Sequence, residues 1–150
     1  MIKILFVCHG NICRSTMAEF VLKDMLEKAG LSDRFYVASA ATSTEEIGNP
    51  VHYGTARILD RLGIDYSKKR ARQMTKADYA EYDYLIGMDS ANIRNMTRIC
   101  GGDPEGKIVK LLSFAGEDRD IADPWYTGRF ETTYYDVKEG CEALLRELGY

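Results

Sequence analysis

The sequence predicts an α/β domain with a doubly wound, four-stranded parallel sheet and helices on both faces. Two observations support this prediction. Short apolar runs alternate with segments of helical periodicity along the 150 residues, and the first and last helical segments each carry one apolar stripe. No linker-like or low-complexity stretch divides the chain, so we expect a single domain over residues 1–150.

Four pairs of a strand and a helix follow one another along the chain. The apolar runs predict strands over residues 2–7, 35–39, 83–88 and 107–112. The segments with helical spacing predict helices over residues 15–29, 54–62, 90–98 and 131–148. Because parallel strands are usually joined by a helix, this alternation indicates a parallel sheet.

The apolar stripes of the first and last helices predict which residues pack in the core. On the first helix the stripe comprises Met17, Ala18, Val21, Leu22, Met25 and Ala29. On the last helix it comprises Tyr134, Val137, Cys141, Leu144 and Leu148. We interpret both stripes as core packing and not as ligand sites.

Composition limits the classes of partner and the location. The net charge of −3 argues against nucleic acid, and we interpret the basic run at residues 68–72 as a solvated face. The first apolar run is too short for a signal peptide and no later stretch could span a membrane, so we expect a cytoplasmic protein without membrane association. The four cysteines do not form a zinc pattern, and we expect no metal and no cofactor.

The most informative segment runs from Cys8 to Ser15 and reads Cys-His-Gly-Asn-Ile-Cys-Arg-Ser, between the first strand and the first helix. So short a loop can direct its backbone N–H groups and a helix N-terminus toward one point, with the guanidinium of Arg14 over it. Gly10 and Asn11 tolerate positive φ and close backbone approach. We predict a cradle for a tetrahedral oxyanion with a Cys8 thiolate at its base; the alternative is an ordinary buried cysteine.

A second part of the site is predicted in residues 114–129, a segment with little periodicity. There Pro124 restricts the backbone of Asp123, so the carboxyl group can be held at a set reach from the cradle. Trp125 and Tyr126 follow and offer flat walls for an aryl group. We predict that Asp123 is a general acid for a leaving phenolate, whereas the alternative is a plain Asp-Pro turn.

With these residues in view, the chain resembles the low-molecular-weight protein tyrosine phosphatases over essentially its whole length. The family's patterns recur in order as Val7 to Ser15, Met17-Ala18-Glu19, Ala71-Arg72-Gln73, Asp83 to Asp89 and Asp123-Pro124-Trp125-Tyr126. The resemblance implies hydrolysis of phosphotyrosine and small aryl phosphate monoesters through a phosphocysteine on Cys8. It also implies that Arg14 clamps the phosphate and that Asp123 acts as acid and then as base.

The implied partners are phosphotyrosine-containing proteins, with a tyrosine kinase as a candidate, and inorganic phosphate or a similar oxyanion in the loop. We expect a monomer. The residues predicted to bind or support the phosphate are His9, Gly10, Asn11, Ile12, Cys13 and Ser15.

Three of these residues have specific expected roles. Asn11 should lock the loop by side-chain hydrogen bonds. Ser15 should donate a hydrogen bond to the Cys8 sulfur, unless it is only an N-cap. The resemblance supports a reversible disulfide between Cys13 and Cys8, and the alternative is a small core cysteine.

The substrate pocket is predicted from His9, Glu45, Trp125 and Tyr126. His9 adjoins the nucleophile, but its side chain should point outward from the cradle, so we place it at the pocket mouth and do not assign it as a base. His52 is interpreted as a surface loop residue without a partner.

Three departures from the family pattern bear on substrate choice. Glu45 stands where vertebrate relatives have an aromatic wall, Lys69 where a histidine is common, and Thr16 where a proline usually opens the first helix. Together with His9, they indicate a more polar rim and weaker selection for apolar neighbours of the phosphotyrosine.

Other function classes remain as alternatives. Arsenate reductases of this fold need a close cysteine pair for electron relay, whereas Cys100 and Cys141 are 41 residues apart here. Removal of phosphate from arginine is associated with threonine at the position of Ile12. Sugar-transport phosphocarriers and non-catalytic phosphotyrosine-binding modules form two further classes, and the combination of nucleophile, clamp and acid argues against both.

Overall fold

The sheet has four parallel strands, as predicted. The computed structural model describes all 150 residues. Its strands are β1 (Ile2–Cys8), β2 (Phe35–Ala41), β3 (Tyr84–Gly87) and β4 (Ile108–Lys110). Their order is β2-β1-β3-β4, and each neighbouring pair is parallel. The chain order reverses at β1, so the switch point of the sheet lies at the end of this strand.

Six helices connect and cover the strands. They are α1 (Arg14–Lys28), α2 (Tyr53–Arg61), α3 (Ala77–Glu81), α4 (Ser90–Cys100), α5 (Pro124–Thr127) and α6 (Phe130–Glu147). Short 3₁₀ helices occupy Ser32–Arg34 and Leu111–Ala115. The sequence analysis missed α3 and α5 because one turn is too short to show periodicity. It also extended the last strand over two residues that begin a 3₁₀ turn.

Alternate residues of β1 enter two separate cores, which confirms helices on both faces. Ile4 and Phe6 pack in a core that contains residues of α1, α2 and α6. Leu5 and Val7 pack in the other core, with Met96 of α4 and residues of the segment before β3. Because side chains alternate along a strand, a strand buried on both sides is apolar on both, as β1 is from Ile4 to Val7.

The predicted helix stripes are largely buried. Met17, Val21 and Leu22 are buried against the sheet, as are Val137 and Cys141 on α6. Ala29 is the exception. It is the C-cap of α1 and is exposed, so the stripe ends one turn earlier, at the buried Leu26.

The basic run at residues 68–72 is not simply a solvated face, so that prediction is wrong. Lys69 is largely buried and its Nζ donates to the Ser39 carbonyl oxygen at 2.8 Å. Arg72 forms a two-pronged ion pair with Asp78, and the intervening Ala71 is buried. No helix has the length and apolar character that a membrane crossing would need.

At Gly140, α6 packs closely on the segment after β4. A Cβ atom built on Gly140 would lie 2.4 Å from Leu111 Cγ, well inside van der Waals contact. Gly140→Ala should therefore lower the free energy of unfolding by about 1 to 3 kcal/mol, although alanine is the better helix former. Urea denaturation measures this change.

The matched control is Gly140→Ala in a Leu111→Ala background, where the space for the methyl group exists. There the alanine at position 140 should be neutral or stabilising relative to Leu111→Ala alone. An increase in stability from the single Gly140→Ala change would contradict the overlap.

Candidate active site

A cleft opens at the switch point, where Cys8 ends β1. Its volume is about 110 Å³. The loop after β1, the segment after β2 and the start of α5 form its walls. The lining residues are Cys8, His9, Gly10, Ile12, Cys13, Glu45, Glu46, Asp123, Trp125 and Tyr126.

The loop between β1 and α1 leaves its backbone donors free. The N–H groups of residues 9–16 donate to no acceptor within the chain. Asn11 has a φ of 59°, which turns the chain in the middle of the loop. Gly10 does not adopt positive φ. A glycine there serves close approach instead, since a Cβ would lie 3.3 Å from Glu46 Cγ.

A chain of buried hydrogen bonds leads from Asn11 to the Cys8 sulfur. Asn11 Nδ2 donates to Ser15 Oγ at 2.8 Å, and Ser15 Oγ lies 3.0 Å from Cys8 Sγ. Because Ser15 Oγ accepts from the amide, its own proton is available for the sulfur. Ser15 lies inside α1, whose N-cap is Cys13, so the N-cap alternative for Ser15 is wrong.

The same amide is anchored on its other side. Asn11 Nδ2 donates to Ser39 Oγ at 2.9 Å, and Asn11 Oδ1 accepts from the backbone N–H of Arg72 at 3.2 Å. Ser39 Oγ in turn donates to Glu19 Oε1 at 2.5 Å. Lys69 Nζ lies 3.7 Å from the same carboxylate oxygen, and burial lowers the pKa of Lys69 although Glu19 opposes the shift.

Arg14 lies behind the loop with only 2% of its surface exposed. One guanidinium nitrogen, Nη1, donates to Asp89 Oδ2 at 2.7 Å and to the Ile121 carbonyl oxygen at 2.8 Å. Nη2 lies 3.4 Å from Asp123 Oδ2. Burial disfavours the charged form, but the charge of Cys8 and the hydrogen bond with Asp89 outweigh it and raise the pKa of Arg14.

The side chain of Asp123 caps a helical turn and also lines the cleft. Its Oδ1 accepts from the Trp125 backbone N–H at 3.0 Å and caps α5, a one-turn helix with Pro124 in its first turn. Its Oδ2 faces Arg14, and the side chain lines the cleft. The segment predicted to lack structure therefore contains a capped helical turn that positions this carboxylate.

The second cysteine of the loop, Cys13, is buried and lines the same cleft as Cys8. Burial raises the pKa of the Cys13 thiol, and the neighbouring Cys8 raises it further. Cys13 is therefore held as a thiol at neutral pH.

The rim of the cleft is polar on one side and aromatic on the other. His9 Nε2 lies 2.6 Å from Glu45 Oε2, and both side chains are exposed. Trp125 is 56% exposed and Tyr126 83% exposed. Thr16 does not contribute to the rim, contrary to the interpretation from sequence, because it is fully buried.

Lys69 also lies away from the rim, with its ammonium group against Glu19 and Ser39. The interpretation of His52 as a partnerless surface residue is wrong as well. Its Nδ1 accepts from the Gly54 N–H at 3.1 Å and caps α2, and its ring stacks on Phe130 at a centroid distance of 5.2 Å. Burial lowers the pKa of His52, which favours the neutral ring that this cap requires.

Sequence reasoning missed several supporting residues. Asp89 and Glu19 stand inside recognised patterns, but no role was assigned to them. Asp89 follows β3, the strand beside β1, so a carboxylate there could have been expected to reach Arg14 at the switch point. Ser39 and Ile121 gave no signal in the sequence, because their contacts depend on the register of β2 and on the path of a long connection.

No group of three or more His, Cys, Asp or Glu side chains is arranged to hold a metal ion. The site offers the Cys8 thiol, with the Cys13 thiol in the same cleft, at the base of a loop whose backbone N–H donors are free. A carboxylate and a buried guanidinium lie beside it.

Comparison with known proteins identifies the family of this chain. The family model described as low molecular weight phosphotyrosine protein phosphatase matches residues 3–150. The low molecular weight protein-tyrosine-phosphatase YfkJ of Bacillus subtilis is 43% identical over 99% of this chain and 96% of its own length.

Solved structures show the same likeness. The crystal structure of YfkJ from Bacillus subtilis superposes with a TM-score of 0.95 at 42% identity, over 99% of this chain and 95% of that one. A drosophila arginine phosphatase superposes with a TM-score of 0.90 at 30% identity, over 99% of each chain. The chain therefore belongs to the low molecular weight protein-tyrosine-phosphatase family and is an enzyme of this kind.

Proposed function

We propose that this enzyme hydrolyses phosphotyrosine in proteins, and small aryl phosphates, through a phosphocysteine formed on Cys8. The observation that supports the proposal most directly is the position of Cys8 and Asp123 in one cleft, with the Ser15 hydroxyl 3.0 Å from the Cys8 sulfur. A nucleophile and a proton donor then face the same phosphate ester from two sides.

The phosphate is bound by the loop amides and by Arg14. The free N–H groups of residues 9–16 supply donors for its equatorial oxygens. Asp89 and Ile121 occupy Nη1 of Arg14, and Nη2 donates one proton to Asp123 Oδ2 at 3.4 Å. Nε and the second Nη2 proton then form the fork that two phosphate oxygens accept from. The contacts that bury Arg14 thus also fix which edge of the guanidinium meets the substrate.

In the first step the Cys8 thiolate attacks phosphorus, so a sulfur–phosphorus bond forms as the bond to the phenolic oxygen breaks. Asp123 donates its proton to that oxygen and releases a neutral phenol. In the second step Asp123 takes a proton from water, which attacks the phosphocysteine and releases inorganic phosphate. The Ser15 hydroxyl donates to the sulfur and stabilises the thiolate that departs.

Tyrosine is the favoured ester because the cleft offers aromatic walls. Trp125 and Tyr126 stand at its mouth and can flank a phenyl ring. Ile12 lines the cleft as an apolar side chain, which suits an aryl group better than a charged guanidinium. The structural relative named as an arginine phosphatase makes phosphoarginine the second substrate to test, and we expect this enzyme to prefer phosphotyrosine.

The cysteines give no support to arsenate reduction. Cys100 is buried in the core on the α4 side of the sheet, and Cys141 is buried in the core on the other side. Neither can approach Cys8 as a relay without unfolding a core.

Cys13 can instead protect the Cys8 sulfur from further oxidation. Peroxide oxidises Cys8 to a sulfenic acid, and the Cys13 thiol displaces water from it to form a disulfide.

The central prediction concerns turnover of an aryl phosphate such as p-nitrophenyl phosphate. Cys8→Ser should abolish essentially all turnover, whereas Cys100→Ser, a change of the same kind in the core, should keep it. Asp123→Asn should lower kcat by roughly 10² to 10⁴, the range for a missing proton donor.

Asparagine at position 123 keeps an oxygen to cap α5 but cannot donate the acid proton. Asp123→Asn and Asp123→Ala should therefore lose similar activity. If Asp123→Ala is slow but Asp123→Asn is as fast as the wild type, Asp123 acts only as a cap and its role as acid is rejected.

A second prediction concerns Asp89, which caps α4 through Oδ1 and binds Arg14 through Oδ2. Asp89→Asn keeps a capping oxygen but loses the charge-assisted contact, so kcat/KM for the aryl phosphate should fall about 10-fold to 100-fold. Asp120→Asn removes a carboxylate that also contacts the start of α4 but not Arg14, and it should leave kcat/KM unchanged. Equal effects of both variants would contradict the positioning role.

A third prediction concerns the His9–Glu45 pair at the rim. Glu45→Trp replaces an exposed carboxylate with an aromatic wall, so it should raise kcat/KM for phosphopeptides with apolar residues beside the phosphotyrosine by about 2-fold to 10-fold. The rate for p-nitrophenyl phosphate, which does not extend to the rim, serves as the control. Unchanged kinetics on a panel of apolar and polar phosphopeptides would show that this rim does not select substrates.

A further inference from the structure

We propose that a second cleft, beside the active site, binds acidic residues that flank the phosphotyrosine in the substrate protein. This inference rests on the proposed phosphatase function. The cleft has a volume of about 570 Å³ and lies between α2 and the segment that joins α5 to α6. Three arginines line it, namely Arg57, Arg61 and Arg129, and we call it the arginine cleft.

Two of the three arginines lack a carboxylate partner. Arg61 forms an ion pair with Glu131, which lines the same cleft. No Asp or Glu oxygen lies within 4.0 Å of the guanidinium of Arg57 or Arg129, and both residues are exposed. The chain as a whole carries a net charge of −3, so this local excess of positive charge is opposite to the rest of the molecule. Such a region attracts anionic groups.

The arginine cleft is continuous with the active-site cleft through a row of aromatic rings. Trp125, a wall of the active-site cleft, meets the His52 ring at a centroid distance of 5.4 Å. His52 stacks on Tyr53 at 4.4 Å and on Phe130 at 5.2 Å, and both of these residues line the arginine cleft. The guanidinium of Arg57 lies 5.9 Å from the Tyr53 ring centre.

Each of these steps is shorter than 6 Å, so an extended peptide can bridge the two clefts. An extended chain rises about 3.3 Å per residue, so the path from the Trp125 ring at the mouth to the guanidinium of Arg57 spans about five residues at most. The aromatic row between them supplies a flat surface for the intervening residues.

The mouth of the active-site cleft also carries carboxylates. Glu45 and Glu46 line this cleft. Glu45 is paired with His9, and both groups are exposed. Glu46 is close enough to His52 to oppose the lowering of the His52 pKa by burial. Acidic residues of a substrate are therefore disfavoured beside these carboxylates and favoured where they reach the unpaired guanidinium groups of Arg57 and Arg129.

The test compares phosphotyrosine peptides that differ only in charge. One pair carries Glu or Gln at positions two to five after the phosphotyrosine, and a second pair carries them at the same distances before it. In one of the two pairs, we expect wild-type kcat/KM to be about threefold to tenfold higher for the Glu peptide than for the Gln peptide. This factor is the range for two exposed ion pairs. The ratio should approach one in about 0.5 M NaCl because exposed charges are screened.

The variant is the double change Arg57→Gln and Arg129→Gln, which should reduce the Glu-to-Gln ratio to about one. Its rate on p-nitrophenyl phosphate should equal that of the wild type, which also shows that it is folded. Arg146→Gln is the matched control, because Arg146 is exposed near the other end of α6 and has the same charge. This control should keep the wild-type ratio.

Binding of the same peptides to Cys8→Ser separates this proposal from the proposed reaction, since fluorescence anisotropy needs no turnover. If the wild type hydrolyses no phosphopeptide, the proposed function is rejected. The ratio of the affinities for Glu and Gln peptides, measured by anisotropy, would still test the arginine cleft. Equal affinity of Cys8→Ser for Glu and Gln peptides in both pairs overturns the proposal. A Glu-to-Gln ratio that stays at the wild-type value in the double arginine variant overturns the proposal as well.

Discussion

The loop after β1 depends on one carboxamide, that of Asn11. Its amide donates to two serine hydroxyls and its oxygen accepts from the backbone N–H of Arg72, so both donors and the oxygen of the group have partners. The residue is 1% exposed and has positive φ. A buried amide held by three hydrogen bonds has one orientation, and this orientation fixes the turn of the loop. The free N–H groups around it keep their directions for the same reason.

Burial of charge is the second constraint on this site. Arg14 is withdrawn from water, which is unfavourable for a guanidinium unless other groups compensate. Asp89 and the Ile121 carbonyl provide that compensation, and they come from the end of β3 and from the long connection before α5. The contacts that make the buried charge tolerable therefore also join the start of α1 to the end of β3 and to the connection before α5. A phosphate dianion would complete the neutralisation from the open side.

The sequence predicted the layered fold because its signals are local. Each long helix shows its own periodicity, each strand shows as a short apolar run, and the loop of Cys8 contains recognisable residue types. The one-turn helices were missed because four or five residues show no period. The polar partners of the loop were missed for a different reason: Ser39 and Asn11 are 28 residues apart, and only the pairing of β1 with β2 brings them together. His52 was misjudged because its neighbours Phe130 and Trp125 come from the far end of the chain.

The capping bond from the Trp125 amide to Asp123 has a mechanical consequence. Asp123 begins the turn of α5, and the two aromatic side chains of the mouth belong to the same turn. Carboxylate and aromatic walls therefore form one small rigid body, bounded by a left-handed glycine at position 128. A displacement of this turn would move the carboxyl group and the two aromatic side chains together. In the proposed reaction, the width of the entrance and the distance from the acid to the sulfur would therefore change in concert.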